Sequence, residues 1–225
     1  NDTPKMVKNL ADERIVYVRQ SNKERGAARN AGLKVARGVY VNYFDSDDLY
    51  LPSLSKVWAF IETRKRPEVV FGSIQRISES GKDLGLVPPS HKSFRESILY
   101  NNFLACGSVF IRRDVAMQYP FSENRGLSGA EDWELWLRLF AAYDFTDSGI
   151  VIFSQRQHST RSLETVTTNV SILRERIFAD EILRNKKTLL QKFSQADVAS
   201  IVADRWTFIA LMKTMEKNRR AAGKS

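Results

Sequence analysis

The sequence holds a single cysteine, Cys106, in 225 residues. One thiol excludes an internal disulfide framework and a thiolate metal cluster. No apolar run reaches the roughly 20 residues of a membrane-spanning helix. Internal repeats and low-complexity tracts are also lacking. These absences describe an ordinary soluble α/β-type chain, and a reducing cytoplasm is the expected compartment. Acidic residues are in deficit, with 26 Asp plus Glu against 35 Lys plus Arg, for a net charge of +9. The deficit is uneven. Residues 171–225 carry 12 Lys plus Arg and 6 Asp plus Glu, so +6 of the +9 lies in the tail. That argues against a nucleic-acid groove spread over the core. It fits a basic appendage near an anionic surface, or a solvated helical face.

What is present is organised around Val39-Tyr40-Val41-Asn42-Tyr43-Phe44-Asp45-Ser46-Asp47-Asp48. The β-branched and aromatic run reads as a buried strand, and it stops on three carboxylates. Anions this close repel unless a cation sits between them. A divalent metal answers that need, because hard oxygen ligands suit Mg²⁺ or Mn²⁺. A solvated acidic turn ahead of the next helix accounts for the residues equally well. In an open α/β sheet, ligands bind at the carboxyl ends of strands, where these acids fall.

In chain order, Thr3–Ala11 reads as a short helix with Thr3 as N-cap and Pro4 in its first turn. Arg14–Arg19 reads as a strand. Ala27–Ala36 reads as a helix whose inner face is Ala28, Ala31, Gly32 and Val35, closed by Gly38 as a C-cap. Leu51-Pro52 opens a helix, and Glu68–Ile77 is a strand turned back at Glu79–Lys82 into Leu84–Val87. Phe94–Tyr100 is helical and Ser108–Arg112 a strand. Trp133, Trp136, Leu137 and Phe140 mark a buried helical stripe, Ile150–Phe153 a last strand, and the chain after Glu164 is purely helical. Val198, Ile201, Val202, Ile209 and Met212 form one apolar stripe. The alternation predicts an α/β fold: a mixed, mostly parallel sheet flanked by helices, with a helical C-terminal extension.

Three further constellations carry chemistry. Glu131 and Asp132 open the tryptophan helix. Acids there complement the helix dipole, and one of them, aimed from a rigid helix end, can also serve as a general base. Arg25, Arg29 and Asn30 lie beside Gly26 and suit contact with a nucleotide phosphate or ribose, or simple solvation of a helix start. Arg156-Gln157-His158 follows the last strand, where a neutral imidazole can ligate a divalent metal.

The ordered set Arg29-Asn30-Ala31-Gly32, Ala36-Arg37-Gly38, Phe44-Asp45-Ser46-Asp47-Asp48 and Pro52 resembles the inverting glycosyltransferases of family 2, which have the GT-A fold. Gly129–Trp136 resembles that family's second motif, and Arg156-Gln157-His158 its third. The resemblance spans residues 1–162 as a catalytic domain and leaves 163–225 as the extension. It implies a nucleotide-sugar donor, a Mn²⁺ or Mg²⁺ ion and an inverting transfer to a hydroxyl of a glycan or lipid-linked acceptor, in cell-surface polysaccharide or glycolipid synthesis. Carried over, Asp132 is the base with Glu131 beside it. Asp47, Asp48 and His158 face the metal. Arg25, Arg29, Asn30, Asp45 and Asp47 serve the nucleotide, while Trp133 and Arg156 are candidate acceptor or diphosphate contacts. The basic tail suits either an ordinary helical appendage, its apolar stripe buried on the core and its lysines solvated, or a peripheral contact with the inner membrane surface. Family members begin with a strand and an acidic loop that have no counterpart here. A gap of that kind, on the order of 30 residues for a βαβ unit, predicts exposed sheet edges. The rival readings are a catalytically silent nucleotide- or glycan-binding module and a nucleotidyltransferase on a similar sheet.

Overall fold

The computed structural model describes residues 2–10, 12–87, 93–157 and 167–222. The chain runs α1 (Thr3–Asn9), α2 (Glu24–Val35), β1 (Tyr40–Asn42), β2 (Leu49–Tyr50), α3 (Leu54–Thr63), β3 (Val69–Ser78) and β4 (Asp83–Val87). It continues through α4 (Phe94–Tyr100), β5 (Val109–Arg112), α5 (Arg113–Gln118), α6 (Glu131–Ala142) and β6 (Phe145–Gln157). The extension contributes α7 (Thr168–Arg184), α8 (Lys186–Leu189) and α9 (Gln195–Ala222).

The six strands form one mixed sheet in the order β1-β5-β3-β6-β2, with β4 hairpinned onto β3. Its parallel component among the described strands is the long β3–β6 pairing. The other pairings are antiparallel, because β4 and β5 each return directly against β3 and β1 and β2 close the two ends. The central strand shows the two-residue period of a sheet buried on both faces. Val69 and Phe71 face one core cluster, and Val70 and Ile74 the other.

The smaller cluster lies under α3, whose Val57 and Ile61 meet Ile152 and Phe153. The larger holds α6, where Trp136, Leu137 and Leu139 are fully buried. The extension packs into that same cluster through Phe178, Ile182, Leu189, Phe193, Val198 and Ile201. Arg205 adds an ion pair to Glu175 at 2.9 Å and lies over the Trp133 ring. The C-terminal helices therefore share the core of residues 1–157 instead of forming one of their own.

Several local expectations change. Arg14–Arg19 forms no strand, and Ile15, Val16, Tyr17 and Val18 stand exposed. A strand needs a partner for its backbone groups, and no described strand reaches this segment. The cap position of α1 is Asp2, without a side-chain cap bond. The helix α2 ends at Ala36, whose φ of −63° and ψ of 139° already leave the helical region, so no glycine cap at Gly38 is needed. Its buried residues are Gly26, Ala27, Asn30 and Leu33. The small face of Ala28, Gly32 and Val35 instead lies exposed.

Candidate active site

The acidic loop is held from both sides. Tyr50 stacks on Phe44 with centroids 3.6 Å apart, and Phe153 meets Phe44 edge-on at 5.5 Å. Tyr50 donates to Asn42 Oδ1 at 2.6 Å, while Asn42 Nδ2 donates to the carbonyls of Gly107 and Val109 at 3.0 and 2.8 Å. These contacts fasten the end of β1 to β2 and to the approach to β5. Between them the chain turns, with Asp48 N donating to Asp45 O at 3.3 Å. Asp45, Asp47 and Asp48 each offer a carboxylate oxygen within 4.8 Å of the others. Hard oxygens at that spacing suit one Mg²⁺ or Mn²⁺ ion. Asp48 Oδ1 also accepts from the Arg156 backbone at 3.2 Å, which joins the first expected motif to the third. The Arg156 Nε is buried without a hydrogen-bond partner among the described residues. His158 lies outside the described residues.

Opposite stands the start of α6. Gly129, at φ 91°, turns the chain into the helix in a conformation that glycine adopts without strain. Glu131 Oε2 accepts from Gly129 N at 2.6 Å, and Glu131 Oε1 accepts from Arg29 Nη1 at 2.7 Å. Arg29 Nη2 reaches Asp45 at 3.2 Å. One guanidinium on α2 thus ties the acidic loop to the helix that carries Asp132. Asp132 Oδ1 accepts from Asn102 Nδ2 at 3.0 Å and from Trp133 N at 2.8 Å. Burial and the neighbouring Glu131 carboxylate push the Asp132 pKa up to about 6, against the pull of Arg29 and the two donors. A carboxyl group poised near neutrality is suited to proton transfer.

Two cavities meet at Arg25, Arg29 and Asp45. The larger, about 650 Å³, runs between the exposed small face of α2 and β1, with Gly32, Leu33, Val41 and Tyr43 on its walls. The smaller, about 350 Å³, is lined by Asp45 and Asp132 together with Arg76, Asn102, Cys106 and Gln155. Of these two, the smaller is lined from both acidic constellations, by Asp45 of the loop and Asp132 of α6. Cys106 is buried, which pushes its thiol well above the ordinary range and leaves it inert.

Asn30 and Trp133 sit apart from this space. Asn30 is buried and bonded to Phe121 and Glu123. Trp133 donates to Ile98 O at 2.7 Å and stacks on Phe178 in the core. Sequence reasoning missed Asn102, Arg76 and Gln155. Arg76 and Gln155 are register partners on the parallel β3–β6 pair. Reading those two strands as parallel neighbours would have placed their ends together at the site.

A sequence model of the family described as Glycosyl transferase family 2 matches residues 1–119. The chain belongs to glycosyltransferase family 2. The matched region contains the acidic loop and ends before Glu131. An uncharacterized glycosyltransferase of Methanocaldococcus jannaschii, MJ1057, is 27% identical over 135 residues, covering 58% of this chain and 46% of that protein. The Escherichia coli UDP-Glc:alpha-D-GlcNAc-diphosphoundecaprenol beta-1,3-glucosyltransferase WfaP is 28% identical over 149 residues, covering 63% of this chain and 55% of WfaP. The chain thus spans about half the length of these two relatives. The fold matches the crystal structure of S. aureus TarS 1-349 in complex with UDP-GlcNAc. The TM-score is 0.62 at 17% identity, over 92% of this chain and 59% of that one. The architecture is that of the GT-A glycosyltransferases of family 2.

Proposed function

We propose that this chain is the catalytic region of an inverting glycosyltransferase that moves a sugar from a nucleoside diphosphate to an acceptor hydroxyl. One observation carries the reading: a carboxyl group poised near pH 6, Asp132, shares a cavity wall with Asp45 of the three-carboxylate loop and with Arg25 and Arg29. WfaP is named for a UDP-glucose donor and a lipid-diphosphate-linked acceptor, and TarS was crystallised with UDP-GlcNAc. Both names support a UDP-sugar donor, and that of WfaP a polysaccharide or glycolipid product.

The steps follow from the chain's own groups. Arg25 and Arg29 bind the anionic end of the donor by charge-assisted hydrogen bonds. Asp45, Asp47 and Asp48 would hold a Mn²⁺ or Mg²⁺ ion, with His158 as a further candidate ligand. When bound, such an ion neutralises charge on the diphosphate. Asp132 takes the proton of the acceptor hydroxyl as its oxygen bonds to the anomeric carbon. The bond from that carbon to the diphosphate oxygen breaks on the opposite face, so the nucleoside diphosphate leaves and the centre inverts.

A lipid-linked acceptor also gives the basic tail a role. Trp206, Lys213 and Lys217 recur at helical spacing along one side of α9 and are exposed. We assign this surface to peripheral contact with an anionic membrane at its cytoplasmic face.

The test is calorimetric titration of the chain with UDP, with and without Mn²⁺, followed by release of UDP from UDP-glucose and UDP-GlcNAc. Metal-dependent binding with slow release of UDP supports the proposal. Binding without any turnover, in the presence of candidate acceptors, would replace it with a binding module.

A further inference from the structure

Asn102 stands in an unusual position for an amide. It follows the last turn of α4 and belongs to no helix or strand. Two tryptophans of α6 nevertheless fix its segment on both sides. Trp133 Nε1 donates to Ile98 O at 2.7 Å, and Trp136 Nε1 donates to Leu104 O at 3.1 Å. The helix that carries Asp132 therefore grips the chain that carries Asn102, four residues before it and two after. Such support keeps a side chain in register with a reacting group.

The bond so held is asymmetric. Asn102 Nδ2 donates to Asp132 Oδ1, and the same oxygen takes the Trp133 backbone N–H. Among the described residues no hydrogen bond reaches Asp132 Oδ2. The Asn102 carbonyl oxygen is buried and also has no partner among them. An asparagine kept for packing or a turn would satisfy both ends, because an unpaired buried carbonyl costs stability. Here one end goes unpaired while the other holds the carboxylate.

We propose that Asn102 is the positioning residue of Asp132, occupying Oδ1 so that Oδ2 is the oxygen that receives the acceptor's proton. The inference rests on the reading of Asp132 as the base. It adds which oxygen acts and what orients it. A donor to the carboxylate also favours its charged form. The other groups facing Asp132 are fixed: Glu131 on its own helix, Arg29 from α2, and Arg25, Arg76, Asp45, Cys106 and Gln155 around the cavity. Removing the Asn102 amide leaves all of these in place.

The test is carbon NMR titration of the full chain labelled at aspartate carboxyls, with the Asp132 signal identified by its loss in Asp132→Asn. In Asn102→Ala the Asp132 midpoint moves up by about one pH unit, the size of one lost charge-assisted bond. In Asn102→Asp, which keeps the side-chain shape, it moves up further, because a second carboxyl faces the first. An unchanged midpoint in a folded Asn102→Ala protein overturns the proposal. Should that variant not fold, an unchanged midpoint in Asn102→Asp overturns it equally. The base assignment is tested separately, by loss of UDP release in Asp132→Asn. A shifted midpoint with no loss of turnover in Asp132→Asn would place Asn102 beside a carboxylate that is not the base.

Discussion

At the scale of single residues, the acids were the legible part of the site. A strand-like run that breaks into three carboxylates conflicts with burial, and that conflict marks it in the sequence. Asn102 has no such mark, since its meaning comes from a partner 30 residues away. Asp132 gives two predictions of opposite sign. As base it must be ionised, so kcat/KM is expected to rise with pH through about 6, and Asp132→Asn is expected to lower turnover by roughly 10²-fold or more. For stability, the carboxyl titrates near 3.8 when unfolded and near 6 in the fold. The native state therefore favours the protonated form. That contribution is fully present below the unfolded value and is lost as pH rises through the folded one. Asp132→Asn, which stays neutral, is expected to gain stability over wild type at pH 8, on the order of 3 kcal/mol, with the gain vanishing in acid. Urea unfolding of both proteins at the two pH values checks it. At the opposite wall, Asp48→Ala is expected to weaken Mn²⁺-dependent UDP binding by about tenfold or more. Calorimetry with an unchanged metal effect would remove Asp48 from the ligand set.

Among the elements, α6 was read correctly because its tryptophans and leucines recur every three to four residues. The helix α2 was read on the wrong face. Its buried stripe includes a polar residue, Asn30, whose amide is satisfied by the 121–123 loop, and this broke the apolar pattern. The exposed face, rich in small residues, then looked like the core side. The join between α2 and α6 could not be seen at all, because it is made by the pair Arg29–Glu131, separated by 102 residues. Both side chains are nearly buried, at 10% and 4% exposure. Arg29→Met strands the Glu131 charge, and is expected to cost about 3 kcal/mol. Glu131→Gln in the same chain is expected to restore part of that loss, and a double-mutant cycle measures how much. Additive losses would mean that the two helices do not communicate through this pair.

For the whole molecule, the alternation of strands and helices gave the mixed α/β class, but four of the five described strand pairings are antiparallel where mostly parallel ones were expected. The alternation left open where the tail would go, since an apolar stripe does not name the surface it buries against. Val198 and Ile201 of that stripe are buried within the shared core, and Ile209 is buried further along α9. Among the described residues Arg176, Arg184, Lys186, Lys187, Lys213 and Lys217 remain outside, the last two on the same side of α9 as the exposed Trp206. Each cation near an anionic leaflet contributes about 1 kcal/mol, so vesicles rich in phosphatidylserine are expected to sediment the protein at low salt and release it at high salt. Equal and negligible binding to anionic and neutral vesicles would reduce the tail to packing. The other end of the sheet has a different consequence. Among the described strands β1 is bonded on one side, to β5, and beside it lie an open cavity and the exposed Ile15–Val18 segment. A row of amides and carbonyls without mates is an adhesive surface. Crowded solutions of this chain should therefore thicken into aggregates built by borrowed backbone bonds, and any short peptide able to lie along β1 should keep the solution clear.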